Sequence, residues 1–103
     1  MTPDDIIATA RSVIGVRFRH QGRDASTGLD CAGLLQHIAA AHGFQSIDVQ
    51  GYPRHPNGEL EQTLAANVAA GVIVPVPLGK VQGGDMVLMH FEKEPRPRHL
   101  GII

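Results

Sequence analysis

The segments with helical periodicity come first in this chain, and the segments typical of β-strands come last. Apolar residues recur at helical spacing in three stretches, which predict helices at about residues 3–14, 31–42 and 59–70. Two apolar runs near the end, residues 86–91 and 99–103, flank a charged loop with two prolines and predict an antiparallel hairpin. Helices followed by strands favour an α+β fold over alternating βαβ units.

Length and charge limit the class of protein. The 103 residues suffice for a modest core, so residues 1–103 are predicted to form a single domain. A formal net charge of −1 gives no reason to expect nucleic acid as a partner. No run approaches the roughly 18 apolar residues of a membrane span, and the acidic N-terminus is unlike a signal peptide. We therefore expect synthesis in the cytoplasm without a signal peptide, and no membrane span.

Two segments between the predicted elements have weaker patterns. Residues 16–29 mix basic, glycine and small polar residues without periodicity and predict a loop. Residues 72–76 are β-prone, but a central proline restricts them to an edge strand or an extended loop. The first segment holds a basic cluster that is typical of a solvated loop, with an anion site as the alternative: Arg17, Arg19 and Arg23.

The last predicted strand ends the chain at Ile103, with no polar tail after it. A two-stranded sheet is marginal by itself, and chain termini usually fray into solvent. We therefore expect either that further strands follow in the natural protein, so that the fold is truncated at its C-terminus, or that another chain completes the sheet. In the second case the exposed last strand supports a homo-oligomer.

Cys31 is the only cysteine of the chain, and it directly follows Asp30, the predicted N-cap of the second helix. At a helix N-terminus the unpaired N–H groups and the macrodipole favour the thiolate, which is the nucleophilic form of cysteine. The same N–H groups can stabilise an oxyanion. The alternative is an inert, buried cysteine that packs as a small apolar residue.

A catalytic cysteine needs a histidine within hydrogen-bonding reach, and His99 is the best candidate among the six histidines. It begins the last predicted strand, and the Leu100-Gly101 step after it suits the wall of a packed site. The alternative is a histidine with a purely structural role. Other chemistries have weaker support, because the sequence lacks zinc-ligand spacing, a serine nucleophile elbow and a phosphate-binding loop before a helix.

Three short motifs follow one another along the chain: DCAGL at residues 30–34, GDMVL at 84–88 and HLGI at 99–102. Together they resemble the ordered motifs of the NlpC family of cell-wall cysteine peptidases. GVRFRHQGR at 15–23, YPRHPNGEL at 52–60 and the loop before His99 resemble segments of the phage branch of that family. The resemblance covers essentially the whole chain. It implies a papain-like α+β fold of the NlpC type, with N-terminal helices packed on a small antiparallel sheet.

The resemblance implies hydrolysis of peptide bonds in peptidoglycan stem peptides, with Cys31 as the nucleophile and His99 as the general base. It implies no metal and no organic cofactor. The phage branch implies a phage or prophage tail-associated protein that acts at the cell wall or in the periplasm as part of a virion or tail-like particle, with phage tail proteins as further partners. The candidates for oxyanion or substrate binding are Asp30, Ala32, Phe18, Arg19 and His20.

The chain departs from the family pattern at two points. Phe18 stands where many members have a tyrosine that contributes a hydroxyl near the nucleophile. The third catalytic residue of the family, a polar group that orients the histidine, would lie beyond Ile103, and its loss usually costs much of the rate without abolishing the nucleophile. Two alternatives therefore stand beside the peptidase: a catalytically inactive tail-structural or cell-wall-binding module with the same fold, and an acyltransferase that uses the same pair.

Overall fold

Helices form the first part of the fold and a β-hairpin forms its end, as the sequence predicts. The computed structural model describes residues 2–90 and 92–103, so Phe91, the end of a predicted strand, lies outside them. Within these residues the chain is a small α+β domain with three helices and two small antiparallel sheets. Its elements are α1 (Pro3–Ser12), β1 (Arg23–Asp24), β2 (Gly28–Leu29), α2 (Cys31–Ala41), α3 (Glu59–Ala69), a 3-10 turn (Leu78–Lys80), β3 (Met86–Met89) and β4 (His99–Ile102).

The start of α1 is defined by local hydrogen bonds. Thr2 Oγ1 accepts from the backbone N–H of Asp5 at 3.2 Å, and Asp5 Oδ2 accepts from the backbone N–H of Thr2 at 2.8 Å. This reciprocal capping box satisfies two backbone donors that a helix start otherwise leaves unpaired. Pro3 occupies the first helical position, where its missing N–H costs nothing. The predicted first helix is therefore confirmed at its N-terminus.

The second helix, α2, lies at the centre of the fold and packs against α1, both short strands of the first sheet and β4. Asp30 caps it as predicted, because Asp30 Oδ1 accepts from the backbone N–H of Gly33 at 2.8 Å. Thr9 Oγ1 and His42 Nε2 lie 2.9 Å apart and join α1 to the end of α2. The buried face of α2 consists of small and aliphatic residues: Ala32, Gly33, Leu35, Ile38 and Ala39.

Residues 16–29 are not only a loop, and this part of the prediction is wrong. They contain the antiparallel pair β1–β2, in which Arg23 lies opposite Leu29. Phe18 forms a further parallel bridge to Leu29, and Arg19 N–H donates to the Leu29 carbonyl at 3.2 Å. Strands of two residues are too short to show a period-2 pattern, so the sequence pattern does not reveal this sheet, although only residues 25–27 separate its two strands.

The predicted C-terminal hairpin is confirmed, but its first strand ends at Met89, so that His90 lies outside it. The strands β3 and β4 are antiparallel, with Met86 opposite Ile102 and Met89 opposite His99. The pairing continues past β4, since Ile103 N–H donates to the Asp85 carbonyl at 2.9 Å. Leu100 anchors the hairpin and is only 1% exposed. The expected pairing of β4 with another chain stays a prediction.

Asn67, a buried amide on α3, is one of the side chains that hold the long connection between α2 and α3 against the helices, together with Gln36 on α2. Asn67 is fully buried on α3, and its side chain binds both the backbone N–H and the carbonyl of Ile47, at 2.8 and 2.9 Å. These bonds satisfy the backbone of a segment that has no regular structure of its own. After α3, residues 72–76 form no strand: Val72 lies in a bend, and the others belong to a loop without regular secondary structure. None of the helices in the described part of the chain is long and apolar enough to cross a bilayer.

Candidate active site around Cys31

A groove of about 280 Å³ lies where the start of α2 meets β4 and the segment after α1. Cys31 lines it from α2, His99 lines it from β4, and Phe18 lines it from the connecting segment. The remaining wall is mostly aliphatic, with Leu34 and Leu100 among its residues. The fold therefore brings both residues of the predicted catalytic pair to one surface groove, although they are far apart in the sequence.

Cys31 is the first residue of α2, and its thiol lies close to several backbone N–H groups. The amides of Leu100, Ala32 and Cys31 itself favour the thiolate. Burial acts in the opposite direction and is the largest effect, and the nearby Asp30 carboxylate adds to it, so that the pKa of the Cys31 thiol is raised. The lowered pKa that the helix start predicts is therefore wrong, because desolvation outweighs the dipole at this position.

His99 is the first residue of β4, with an exposed side chain at the end of the hairpin where the loop begins. The next residue, Leu100, is buried and places its backbone N–H at the Cys31 sulfur. Consecutive side chains of a strand point to opposite faces. Leu100 therefore anchors the strand in the core, whereas His99 is exposed and contributes to the lining of the groove.

Asp30, a predicted substrate or oxyanion residue, is instead fully engaged by the protein. Its Oδ1 accepts from Gly33 N–H at 2.8 Å and from Arg23 Nη1 at 2.9 Å. Its Oδ2 accepts from Gln21 N–H at 2.8 Å and from the Tyr52 hydroxyl. The residue is only 7% exposed. A buried carboxylate that already accepts four hydrogen bonds has a structural role, because a substrate could bind it only by displacing one of the four donors.

Arg23 and Tyr52 complete this polar network. The sequence pattern marks Arg23 only as part of a basic cluster and gives no indication of Tyr52. Arg23 Nε and Nη2 bind the two oxygens of Asp48 at 2.9 and 3.1 Å, and Nη2 also reaches the Tyr52 hydroxyl at 3.0 Å. Burial lowers the pKa of Arg23, but the hydrogen bonds to Asp48 and Tyr52 outweigh it and raise the pKa overall. The prediction of a solvated loop is therefore wrong for Arg23, whose side chain is 19% exposed.

The other predicted site residues divide between the groove and its support. Phe18 is 65% exposed and lines the groove, whereas Ala32 is 1% exposed and belongs to the core with Tyr52. Arg19 is exposed, and its side chain lies beside Gly28. His20 packs edge-on against the Tyr52 ring, with centroids 5.6 Å apart. Neither Arg19 nor His20 lines the groove.

Tyr52 gives the site a measurable dependence on pH. Burial raises its pKa, and the hydrogen bond that it donates to Asp30 raises it further. In the unfolded chain a tyrosine loses its proton near pH ~10, whereas the folded protein keeps it. The folded state then binds more protons, so the free energy of unfolding falls as pH rises above about 10. Urea unfolding at several pH values should show a steeper decline for the wild type than for Tyr52→Phe; parallel declines would contradict this.

The site thus combines a cysteine at a helix start, a histidine on the adjoining strand and a buried carboxylate that ties the surrounding loops to that helix start. Among the described residues, no three His, Cys, Asp or Glu side chains are grouped as a metal site would need. The chemistry that the groove allows is nucleophilic attack by a thiol assisted by an imidazole. No protein-family profile, curated protein or solved structure matches the chain.

Proposed function

We propose that this chain is a cysteine peptidase of the papain-like NlpC type that hydrolyses peptide bonds in peptidoglycan stem peptides. The observation that carries the proposal is the shared groove: Cys31 and His99 line it from two different elements. The motifs around Cys31, Asp85 and His99, which resemble those of the family in the same order, supply the substrate class. The resemblance to the phage branch supplies the setting, a tail-associated protein that acts at the cell wall.

The proposed reaction begins when His99 takes the proton of the Cys31 thiol. The sulfur attacks the carbonyl carbon of the scissile amide, and the negative charge that develops on the oxygen is stabilised by N–H groups at the start of α2. His99 then gives its proton to the leaving amine as the C–N bond breaks, which leaves a thioester on Cys31. Water then attacks the thioester carbonyl carbon as His99 takes its proton, the C–S bond breaks to release the new carboxyl group, and His99 returns the proton to the sulfur. No cofactor takes part.

The raised pKa of Cys31 bears on how this reaction starts. Because the raised pKa disfavours the thiolate, the imidazole has to accept the thiol proton as the nucleophile forms. A substrate that fills the apolar groove and covers His99 excludes water and brings the charges of an ion pair into a medium of lower dielectric constant. The proposal therefore makes His99 essential for forming the nucleophile as well as for protonating the leaving group.

The direct test is digestion of purified peptidoglycan followed by mass spectrometry for new amino termini in the stem peptides. Because the chain has a single cysteine, iodoacetamide blocks Cys31 and no other thiol. We expect the untreated chain to release new amino termini and the alkylated chain to release none. Equal release by both samples, or none by either under conditions in which the protein is folded, overturns the peptidase proposal for this chain.

A second candidate is a non-catalytic cell-wall-binding or tail-structural module with the same fold. The observation that favours it is the Cys31 thiol itself, which is partly buried and has a raised pKa. A binding module retains peptidoglycan without cleaving it. Co-sedimentation with insoluble peptidoglycan, unchanged by alkylation of Cys31 and without release of amino termini, distinguishes this function from hydrolysis.

A further inference from the structure

Arg23 joins two carboxylates directly behind the start of α2. Its Nη1 lies 2.9 Å from Asp30 Oδ1, and its Nε lies 2.9 Å from Asp48 Oδ2. The Asp30 side chain is 5% exposed and that of Arg23 is 19% exposed, so water screens this pair little. Charges in such surroundings act on their neighbours more strongly than charges at a solvated surface. Cys31 directly follows Asp30 in the chain, so the charges of this ion pair act on its thiol.

The position of Asp30 creates a conflict for a cysteine nucleophile. The carboxylate is needed to cap α2 and to accept the Tyr52 hydroxyl, yet a negative charge beside a thiol disfavours the thiolate. Of the groups that bind Asp30, three are uncharged donors: two backbone N–H groups and the Tyr52 phenol. Arg23 is the one cation among the donors to Asp30 in the described part of the chain.

We propose that Arg23 is a positioning residue of the peptidase: its guanidinium offsets part of the charge of Asp30, so that this carboxylate organises the helix start while disfavouring the Cys31 thiolate less than an unpaired carboxylate would. For its catalytic meaning the inference rests on the proposed function. The effect itself concerns the ionisation of Cys31, which is measured without any substrate.

The other charged and titratable groups near the pair do not take over this role. Cys31 faces Asp30 at its N-cap and His99 from β4, and the groove that it lines is otherwise built from apolar residues and glycine. His99 is exposed, and among the described residues the ion-pair partner of Asp30 is Arg23 and not His99. The groups around Arg23 are two carboxylates, a phenol and, beyond the phenol, an imidazole: Asp30, Asp48, Tyr52 and His20.

The test is the pH profile of Cys31 alkylation by iodoacetamide, which reports the pKa of the thiol. Arg23→Gln exposes Cys31 to the unbalanced charge of Asp30, and we expect the pKa to rise by about 1, so that alkylation at a pH below it slows about tenfold. Arg23→Lys keeps the positive charge and should retain the wild-type profile. Arg54→Gln is the matched control, because it removes an exposed positive charge that does not bind Asp30.

A compensating change separates charge from structure. Asp30→Asn in the Arg23→Gln background removes the charge that needs balancing, and it should return the profile to the wild-type range or below it. Circular dichroism establishes that each variant is folded. If Arg23→Gln alone does not fold, Asp30→Asn is compared with the double variant Asp30→Asn/Arg23→Gln. These two proteins differ only in the positive charge of Arg23, so the pKa of Cys31 must be lower where Arg23 is kept.

Two results overturn the inference: an Arg23→Gln profile that coincides with that of the wild type in a folded protein, or an Asp30→Asn profile that is not lowered. A purely structural role of Arg23 predicts that Arg23→Lys and Arg23→Gln change the profile alike, and that result also overturns it. None of these outcomes depends on peptidoglycan. Failure to hydrolyse the cell wall therefore counts against the proposed function alone, whereas an unchanged thiol profile counts against the role of Arg23 alone.

Discussion

Loss of either member of the proposed catalytic pair is expected to stop peptidoglycan hydrolysis almost completely. Cys31→Ala removes the nucleophile, and we expect the rate to fall by at least about 10³-fold. His99→Ala removes the proton acceptor and donor, with an expected loss of about 10²- to 10⁴-fold. Rates are measured as amino termini released from purified peptidoglycan per unit time.

The double variant makes this prediction more specific. Two residues that act as one unit give non-additive losses, so Cys31→Ala combined with His99→Ala should be no slower than Cys31→Ala alone. His55→Ala is the matched control, because His55 is exposed in the turn before α3 and does not line the groove. Hydrolysis by His99→Ala at the rate of His55→Ala contradicts the assignment of His99. Multiplied losses in the double variant contradict a shared mechanism.

The second large effect is expected for Gly33, the third residue of α2, which packs against the backbone of Gly22 in the loop before β1. A Cβ atom at this position would lie 2.0 Å from the carbonyl oxygen of Gly22, an atom of the backbone that cannot rotate away. Alanine in a helix interior normally gains up to about 1 kcal/mol over glycine. The steric conflict outweighs that gain, because overpacking of this kind costs about 1–3 kcal/mol or more and here also disturbs the Asp30 cap.

We expect Gly33→Ala to lower the free energy of unfolding by about 2 kcal/mol net, which corresponds to a fall in Tm of roughly 10 °C for a domain of this size. Urea and thermal unfolding measure it. Gly79→Ala is the control, because a Cβ at Gly79 meets nothing within 4 Å, and its effect should stay within about 0.5 kcal/mol. If the two variants are equally stable, α2 and the loop are not packed as closely as described.

The N-termini of α1 and α2 show which interactions the local sequence is sufficient to predict. Thr2, Pro3 and Asp5 form a capping box within one turn, and Asp30 caps α2 through the N–H of Gly33. Each of these interactions joins residues at most three apart, so the sequence alone predicts them. The hairpin is also local, since an apolar run, a charged loop with prolines and a second apolar run leave antiparallel pairing as the simplest solution.

The polar network around Asp30 shows which interactions the local sequence does not predict. Tyr52 lies 22 positions from Asp30, and Asp48 lies 25 positions from Arg23, in a segment whose turn-rich sequence predicts no regular element. The signals were present as an aromatic residue among turn residues and an arginine in the loop before the cysteine. Their role as partners of the two carboxylates becomes visible only in the folded chain, because the partners of a residue at such separations depend on the whole fold.

The sequence by itself determined the order of elements, the caps of α1 and α2, and the placement of the single cysteine at a helix start. The tertiary structure decided that His99 shares a groove with that cysteine, that Asp30 is occupied by Arg23 and Tyr52, and that the pKa of Cys31 is raised. The physical reason is the separation in sequence between the residues that interact. Caps and periodicity arise within a few residues, whereas burial and charge balance depend on every segment that packs against the site.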